Sequence, residues 1–172
     1  PALSDAALIG AAYRRWGVDC VDRLLGDFAF LLWDGRERRL LGVRDHMGVR
    51  PFFYFAGSDI FAAGHSIGTV LPAMPDRSID EGQIADFVAG SFTSRETTFF
   101  RDARRLPPGH LLVLSNGDVQ IKRYWALDRE REVAPSDAAG EFRALLEEAV
   151  RCRLPQAGNT GLMLSGGLDS SS

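Results

Sequence analysis

Gly26-Asp27-Phe28-Ala29-Phe30-Leu31-Leu32-Trp33-Asp34-Gly35, with the return segment Arg39-Leu40-Leu41-Gly42-Val43, is the stretch that decides the fold class. Phe28 to Trp33 is short and apolar, which reads as a buried strand. Asp34-Gly35 is a hairpin signal, and Arg39 to Val43 supplies the returning strand. Downstream, Phe52 to Phe55 and Ile60 to Ala63 repeat the pattern across Ala56-Gly57-Ser58-Asp59. Leu111 to Leu114 and Val119 to Trp125 repeat it again across Ser115-Asn116-Gly117-Asp118. Strands joined by tight turns imply antiparallel sheets. Between the first two hairpins lies a polar loop, Arg44-Asp45-His46-Met47-Gly48-Val49-Arg50-Pro51, punctuated by Gly and Pro.

Helices flank these strands. Ser4-Asp5 suits an N-cap, and Leu8, Ile9, Ala12 and Trp16 then recur at helical spacing up to Gly17. A second short helix is expected over Asp19 to Leu25, and a third over Asp80 to Val88. Arg104 to His110 reads as a loop. The charged run Arg129-Glu130-Arg131-Glu132 with Pro135 reads as a linker. Ser136-Asp137 then opens a helix whose Phe142, Leu145, Leu146, Ala149 and Val150 form an apolar stripe. A turn over Leu154 to Thr160 leads to a short apolar strand, Gly161 to Leu164, running into Ser165-Gly166-Gly167-Leu168-Asp169-Ser170. The switch from hairpins to helix–strand–glycine loop places a domain boundary near residues 128–136.

Composition narrows the function classes. The 172 residues are 45% hydrophobic and 25% charged, with net charge -3, which excludes a fully disordered chain. The pI of about 5.6 argues against a phosphate-backbone binder, so no nucleic-acid partner is expected. No apolar run approaches the ~20 residues that cross a bilayer, and no signal peptide is visible. Cys20 and Cys152 are the two cysteines, without a CxxC, so a cytoplasmic protein is expected, with no disulfide framework. His46, His65 and His110 are too scattered for a metal site. Cys20, Trp33 and Trp125 read as core residues. His46 is expected to make loop hydrogen bonds, and Arg44 and Asp45 to form an ion pair ordering their loop. The start at Pro1 and the end at Ser172 read as those of a fragment.

The glycine loop carries the clearest chemistry. Glycines after a buried strand let the backbone turn and present N–H groups to an anion, and Ser165 and Ser170 add hydroxyl donors. The Walker A pattern and GxGxxG are both absent.

Met163 to Ser171 resembles the pyrophosphate loop of the ATP-pyrophosphatase superfamily. Gly26 to Asp34 resembles the G-x-F-A-F-x-x-W-D strand of class II glutamine amidotransferases, and Arg44 to Tyr54 their R-D-x-x-G-x-[KR]-P-[LF]-[FY]-Y segment. Arg105-Leu106-Pro107-Pro108-Gly109-His110 and Arg123-Tyr124-Trp125 resemble the stretch leading into a synthetase domain. Together, in this order from Ser4 to Ser172, they resemble glutamine-hydrolysing asparagine synthetase.

That resemblance implies an α+β chain. Residues 1–128 would be an Ntn-hydrolase-like α-β-β-α sandwich lacking its N-terminal part, 129–135 a linker, and 136–172 the first helix, strand and pyrophosphate loop of an α/β, HUP-like domain. It implies a cysteine nucleophile, a glutamine-carboxylate arginine and an oxyanion-hole Asn-Gly, all lying before Pro1. Asp5, in the family's S-D-x-E helix start, inherits binding of the glutamine α-ammonium. Arg44, Asp45, Gly48 and Pro51 form the structural loop near the glutamine pocket. Leu164, Ser165, Gly166, Gly167, Leu168, Asp169 and Ser170 would bind ATP and its pyrophosphate, with Mg2+ entering with ATP. Aspartate or a related carboxylate would be adenylated and amidated, and a homodimer is a possible assembly. The chain departs from the pattern at Ala7 and at Ala63-Gly64-His65-Ser66-Ile67-Gly68-Thr69, where the family's Glu and Lys are missing. The alternatives are an amide-forming paralogue resembling β-lactam synthetases or lasso-peptide cyclases, without glutaminase activity, and a non-catalytic assembly module. The 172 residues alone are expected to be inactive.

Overall fold

The computed structural model describes residues 3–91, 94–128, 138–155, 158–163 and 165–167. The chain divides into two compact units, Pro1–Leu127 and Asp128–Ser172.

In the first unit, α1 (Asp5–Trp16) begins where Ser4 Oγ accepts the Ala7 N–H at 3.3 Å. It passes at Gly17, with φ +61, into a 3-10 helix over Gly17–Arg23, two residues ahead of the short helix expected over Asp19 to Leu25. Then follow β1 (Ala29–Asp34), β2 (Arg39–Arg44), β3 (Phe53–Ala56), β4 (Phe61–Gly64), α2 (Ile67–Val70), α3 (Glu81–Val88), β5 (Arg104–Arg105), β6 (His110–Ser115) and β7 (Asp118–Arg123). Two antiparallel sheets result, ordered β1-β2-β6-β7 and β4-β3-β5. The β6–β7 turn is closed by Asn116 at φ 52 and Gly117 at φ 87, the left-handed pair that a two-residue hairpin demands. The β1–β2 turn is held by Asp34, whose Oδ1 accepts the N–H groups of Arg36 and Glu37 at 2.9 and 3.2 Å.

Strand alternation sorts the core into layers. On one face of the four-stranded sheet, Leu41, Val43 and Leu111 pack with Cys20 and Val21 of the 3-10 helix, bordered by Ala12 and Tyr13 of α1. On its other face, Leu112 packs with Phe52, Tyr54 and Leu106, joining the two sheets. The far side of the three-stranded sheet presents Phe55 to Val70, Met74 and Ala103. Gly42 leaves room for the Phe52 ring: a Cβ there would stand 2.7 Å from it. Each fully buried leucine contributes about 1.5–3 kcal/mol, so Leu41, Leu106 and Leu112, all at 0% exposure, are the centre of the unit.

Three expectations for this unit are corrected. Phe28 to Trp33 is not buried on both faces: Leu31 and Trp33 are 44% and 63% exposed, β1 having no second neighbouring strand among the described residues. Trp33 is therefore not a core residue. Arg104-Arg105 is not loop but strand, paired with Phe53 and Tyr54; that pairing is tertiary and leaves no local pattern. The short helix α2, capped by Ser66 Oγ accepting the Gly68 N–H, was not anticipated.

The second unit contains α4 (Ala138–Arg151), braced by exposed Arg143–Glu147 and Arg151–Glu148 pairs. Such pairs contribute only about 0.3–0.5 kcal/mol each. Gly161–Met163 is irregular, not the apolar strand expected, and Leu162 and Met163 are 79% and 92% exposed. A parallel-type strand requires neighbours on its edges and faces, and none pairs with it among the described residues. The expected cap Ser136-Asp137 and linker 129–135 lie outside the described residues.

Candidate functional site

The loop Arg44–Pro51 is the most over-determined feature of the first unit. Asp45 is 1% exposed. Its Oδ1 accepts the Met47 and Val49 N–H groups at 3.1 and 2.9 Å, and its Oδ2 the Arg50 N–H at 2.9 Å. A carboxylate taking three backbone donors folds the chain around itself. Arg44 does the complementary work on carbonyls. Its Nε donates to Arg50 O at 2.8 Å, Nη1 to Leu106 O and Nη2 to Gly48 O, both at 2.7 Å. The expected Arg44–Asp45 ion pair does not form, nor is the turn merely solvated. Each side chain is committed to backbone, where a fork of donors and a pair of acceptors satisfy more groups than one another would. Burial pushes the Arg44 guanidinium down, and the Asp45 charge partly restores it.

Gly48 is required at the centre of this loop. Its φ is +67, and a Cβ would stand 2.8 Å from Pro108 Cγ and 3.0 Å from Arg44 Cζ. Pro51 is exposed and leads from Arg50 to buried Phe52. The loop also receives the Gly109 N–H on Asp45 O at 2.9 Å.

His46 differs from expectation. It packs edge-on among rings, with centroids 6.1 Å from Phe28, 5.5 Å from Tyr124 and 5.3 Å from Trp125. Tyr124 adds a hydrogen bond from its hydroxyl to Arg44 O at 2.7 Å. Burial holds its phenol well above the usual range, with the charges of Asp45 and Asp22 acting in the same direction. The segments Arg105 to His110 and Arg123 to Trp125 meet at this loop. Here Leu106, Gly109, Tyr124 and Trp125 are the walls against which the loop is built.

Asp5 is exposed in the first turn of α1, and none of the loop's hydrogen bonds reaches it. Capping of that helix falls to Ser4, so the Asp5 carboxylate is not consumed by the N-cap bond. In the second unit, Ser165, Gly166 and Gly167 are exposed, and Gly166 sits at φ +77 with open space where a Cβ would be. Leu164, Leu168, Asp169 and Ser170 lie outside the described residues. Among the described residues no cluster of His, Cys, Asp or Glu suits a metal ion, and no helix is long and apolar enough to cross a membrane. Cys20 is fully buried, its thiol pushed up by burial and then by Asp19 and Asp22. Cys152 is exposed.

Residues 2–125 match the model of a glutamine amidotransferase domain, and residues 141–172 that of asparagine synthase. The chain is 34% identical to "Asparagine synthetase [glutamine-hydrolyzing] 3" of Bacillus subtilis (strain 168), over 98% of this chain and 28% of that protein. It is 29% identical to "Amidase chry2" of Gibberella zeae, over 98% of this chain and 26% of the relative. To "Asparagine synthetase [glutamine-hydrolyzing] 1" of B. subtilis it is 26% identical, over 98% and 27%. The chain thus spans little more than a quarter of the length of these relatives. With the antiparallel two-sheet architecture of its first unit and a domain match covering most of its length, the chain belongs to the glutamine amidotransferase domain family.

Proposed function

We propose that the protein to which this chain belongs is a glutamine-dependent, ATP-driven amide-forming ligase of the asparagine synthetase type. The observation that carries this reading is the order of the two family matches, amidotransferase at 2–125 and asparagine synthase at 141–172, on one chain. The first unit would then be the larger part of an Ntn-hydrolase sandwich. The helix, sheet, sheet and helix layering of its core clusters supports that reading.

In this scheme Asp5 receives the α-ammonium of glutamine, and the division of labour with Ser4 favours it: Ser4 caps the helix and leaves the carboxylate for a cation. Arg44, Asp45, Gly48 and Pro51 hold the loop beside the pocket. A nucleophilic cysteine from preceding sequence attacks the side-chain amide and releases ammonia. In the second unit, Leu164, Ser165, Gly166, Gly167, Leu168, Asp169 and Ser170 take the pyrophosphate of the substrate ATP, which enters with Mg2+. The left-handed Gly166 and the open space around it fit a backbone turned toward an anion. Donors there stabilise the charge that grows on the departing pyrophosphate as a carboxylate becomes an acyl-adenylate. Ammonia then displaces AMP. The HUP-like architecture of this unit belongs to the same proposal.

Aspartate is the first candidate carboxylate. In a second reading the same frame amidates a related carboxylate. The test is incubation of the full-length protein with amide-15N glutamine, ATP-Mg and aspartate. Labelled asparagine with AMP and pyrophosphate in equal amounts is expected. AMP formation only with another carboxylate selects the second reading. Glutamate release without AMP from any acid tried sinks the ligase proposal.

A further inference from the structure

The chain between Ser78 and Arg105 doubles back on itself. The Asp80 N–H donates to Phe99 O at 2.8 Å, and the Arg101 N–H to Ser78 O at 3.0 Å. Isolated bridges join Ile79 to Phe100 and Thr97 to Arg104. The Thr97 hydroxyl donates to Gln83 Oε1 at 2.6 Å and so ties α3 to the returning segment. Beside α3 lies a cavity of about 180 Å3. Phe87 and Phe99 supply its apolar side, their rings edge-to-face at 5.4 Å. Gln83, Asp86, Thr97 and Arg105 are among its polar residues.

Arg105 is the informative member. It is half-buried, yet its guanidinium makes no hydrogen bond or ion pair among the described residues, and the Phe53 ring lies 5.7 Å away. A fork of five donors with no protein acceptor favours an anion that can take two of them at once. Its surroundings do too: burial and then the Arg105 charge lower the Arg44 guanidinium, so a second cation stands near. Asp86 lines the same cavity without pairing with Arg105. Opposite charges that share a cavity but are held apart fit a ligand that carries both charges itself. A carboxylate offers about four lone-pair sites, so one intramolecular bond does not exhaust it. The volume is below the ~300–1,000 Å3 of pockets for drug-sized ligands, which limits the occupant to a small solute.

We propose that this cavity binds a free, short, neutral α-amino acid, with its carboxylate on Arg105, its ammonium on Asp86, and the Gln83 amide beside its side chain. The site shares no residue with the glutamine and pyrophosphate assignments above, and the inference does not rest on them.

The experiment is isothermal titration of the full-length protein with L-serine and with two probes that each lack one charge, N-acetyl-L-serine and L-serinamide. L-serine is expected to saturate, and each blocked probe to bind at least tenfold more weakly. Arg105→Gln and Asp86→Asn should each weaken L-serine at least tenfold, and Asp5→Asn less than twofold. Hydrogen exchange of the wild type supplies a reading that needs no variant: L-serine should slow exchange in peptides covering 80–91 and 94–105 and leave 5–16 unchanged. No saturation by about 20 mM L-serine overturns the proposal. Equal binding of N-acetyl-L-serine overturns it in favour of a plain anion site, and equal binding of L-serinamide in favour of a cation site. Affinity lost in Asp5→Asn but kept in Arg105→Gln overturns it by moving the amino acid to Asp5. Should Arg105→Gln not fold, the exchange pattern decides, and unchanged exchange over 80–91 and 94–105 overturns the site.

Discussion

Helices α1 and α4 are both amphipathic, and they end in different circumstances. Ala12 and Tyr13 of α1 border a cluster with Cys20, Leu41 and Leu111. The Tyr13 hydroxyl donates to Asp34 Oδ2 at 2.7 Å and accepts from Arg39 Nε at 2.9 Å, pinning the helix to the first hairpin. In α4, Phe142, Leu145, Leu146 and Val150 are 67, 70, 47 and 52% exposed. Periodicity states that a helix has an apolar face. It does not state what covers that face, because the covering groups come from distant parts of the chain. The first unit therefore derives its stability from burial between layers, while the described part of α4 relies on local pairs such as Arg143–Glu147.

The difference is testable because Trp16, Trp33 and Trp125 all lie in the first unit, so tryptophan fluorescence reports its unfolding alone. Leu112→Ala is expected to have the largest effect, a loss of about 2–5 kcal/mol, read as a lower urea midpoint at unchanged slope. A loss below about 1 kcal/mol would mean that the layers between the sheets are not the source of stability. Gly48→Ala should cost about 1–3 kcal/mol through strain at positive φ, and circular dichroism should show the secondary structure retained. Tyr124→Phe should cost about 1 kcal/mol at neutral pH, the net value of one hydrogen bond. Leu145→Gln in α4 should leave the fluorescence midpoint within about 0.5 kcal/mol; a larger shift would contradict the contrast between the helices.

Alkaline titration sharpens the same point. All three tyrosines, Tyr13, Tyr54 and Tyr124, have phenols raised above their ordinary value, burial being the first cause in each. A raised folded value means the stability they confer is complete below about pH 10, the unfolded phenol value. It is lost as pH rises toward the folded values, since the unfolded chain ionises first. Tyrosinate absorbance at 295 nm should therefore appear together with unfolding. Early, non-cooperative ionisation of one of the three would show that phenol to be less enclosed. Asp34 acts at the other end. The Tyr13 hydroxyl, then the backbone of Glu37 and Arg36, hold its carboxyl below the usual range. Its contribution is present above the unfolded value near pH 4 and fades as pH falls through the folded one. Asp34→Asn should flatten that part of the acid limb.

Much of the fold was legible in local pattern. The turn at Asn116-Gly117, the hairpin at Asp34, the cap at Ser4 and the helix over 81–88 each follow from residues within a few positions of one another. Misreadings arose where a distant partner decides. Trp33 has the composition of a core residue but stands exposed on β1. Arg104-Arg105 is a strand only because Phe53 and Tyr54 pair with it. Adjacent opposite charges favour an Arg44–Asp45 pair on local grounds. Yet Leu106 O, 62 residues away, competes for the guanidinium, and three backbone N–H groups claim the carboxylate.

The sequence by itself determined the hairpin turns, the longer helices and most strands of the first unit, and the family, because propensity, turn chemistry and motif spacing are properties of neighbouring residues. Only the tertiary structure decided which apolar faces are covered, that His46 stands edge-on to the rings of Phe28, Tyr124 and Trp125, and that Tyr124 closes on Arg44. Those outcomes depend on which groups compete for each buried hydrogen bond and each face, and the competitors are brought together only when the layers pack.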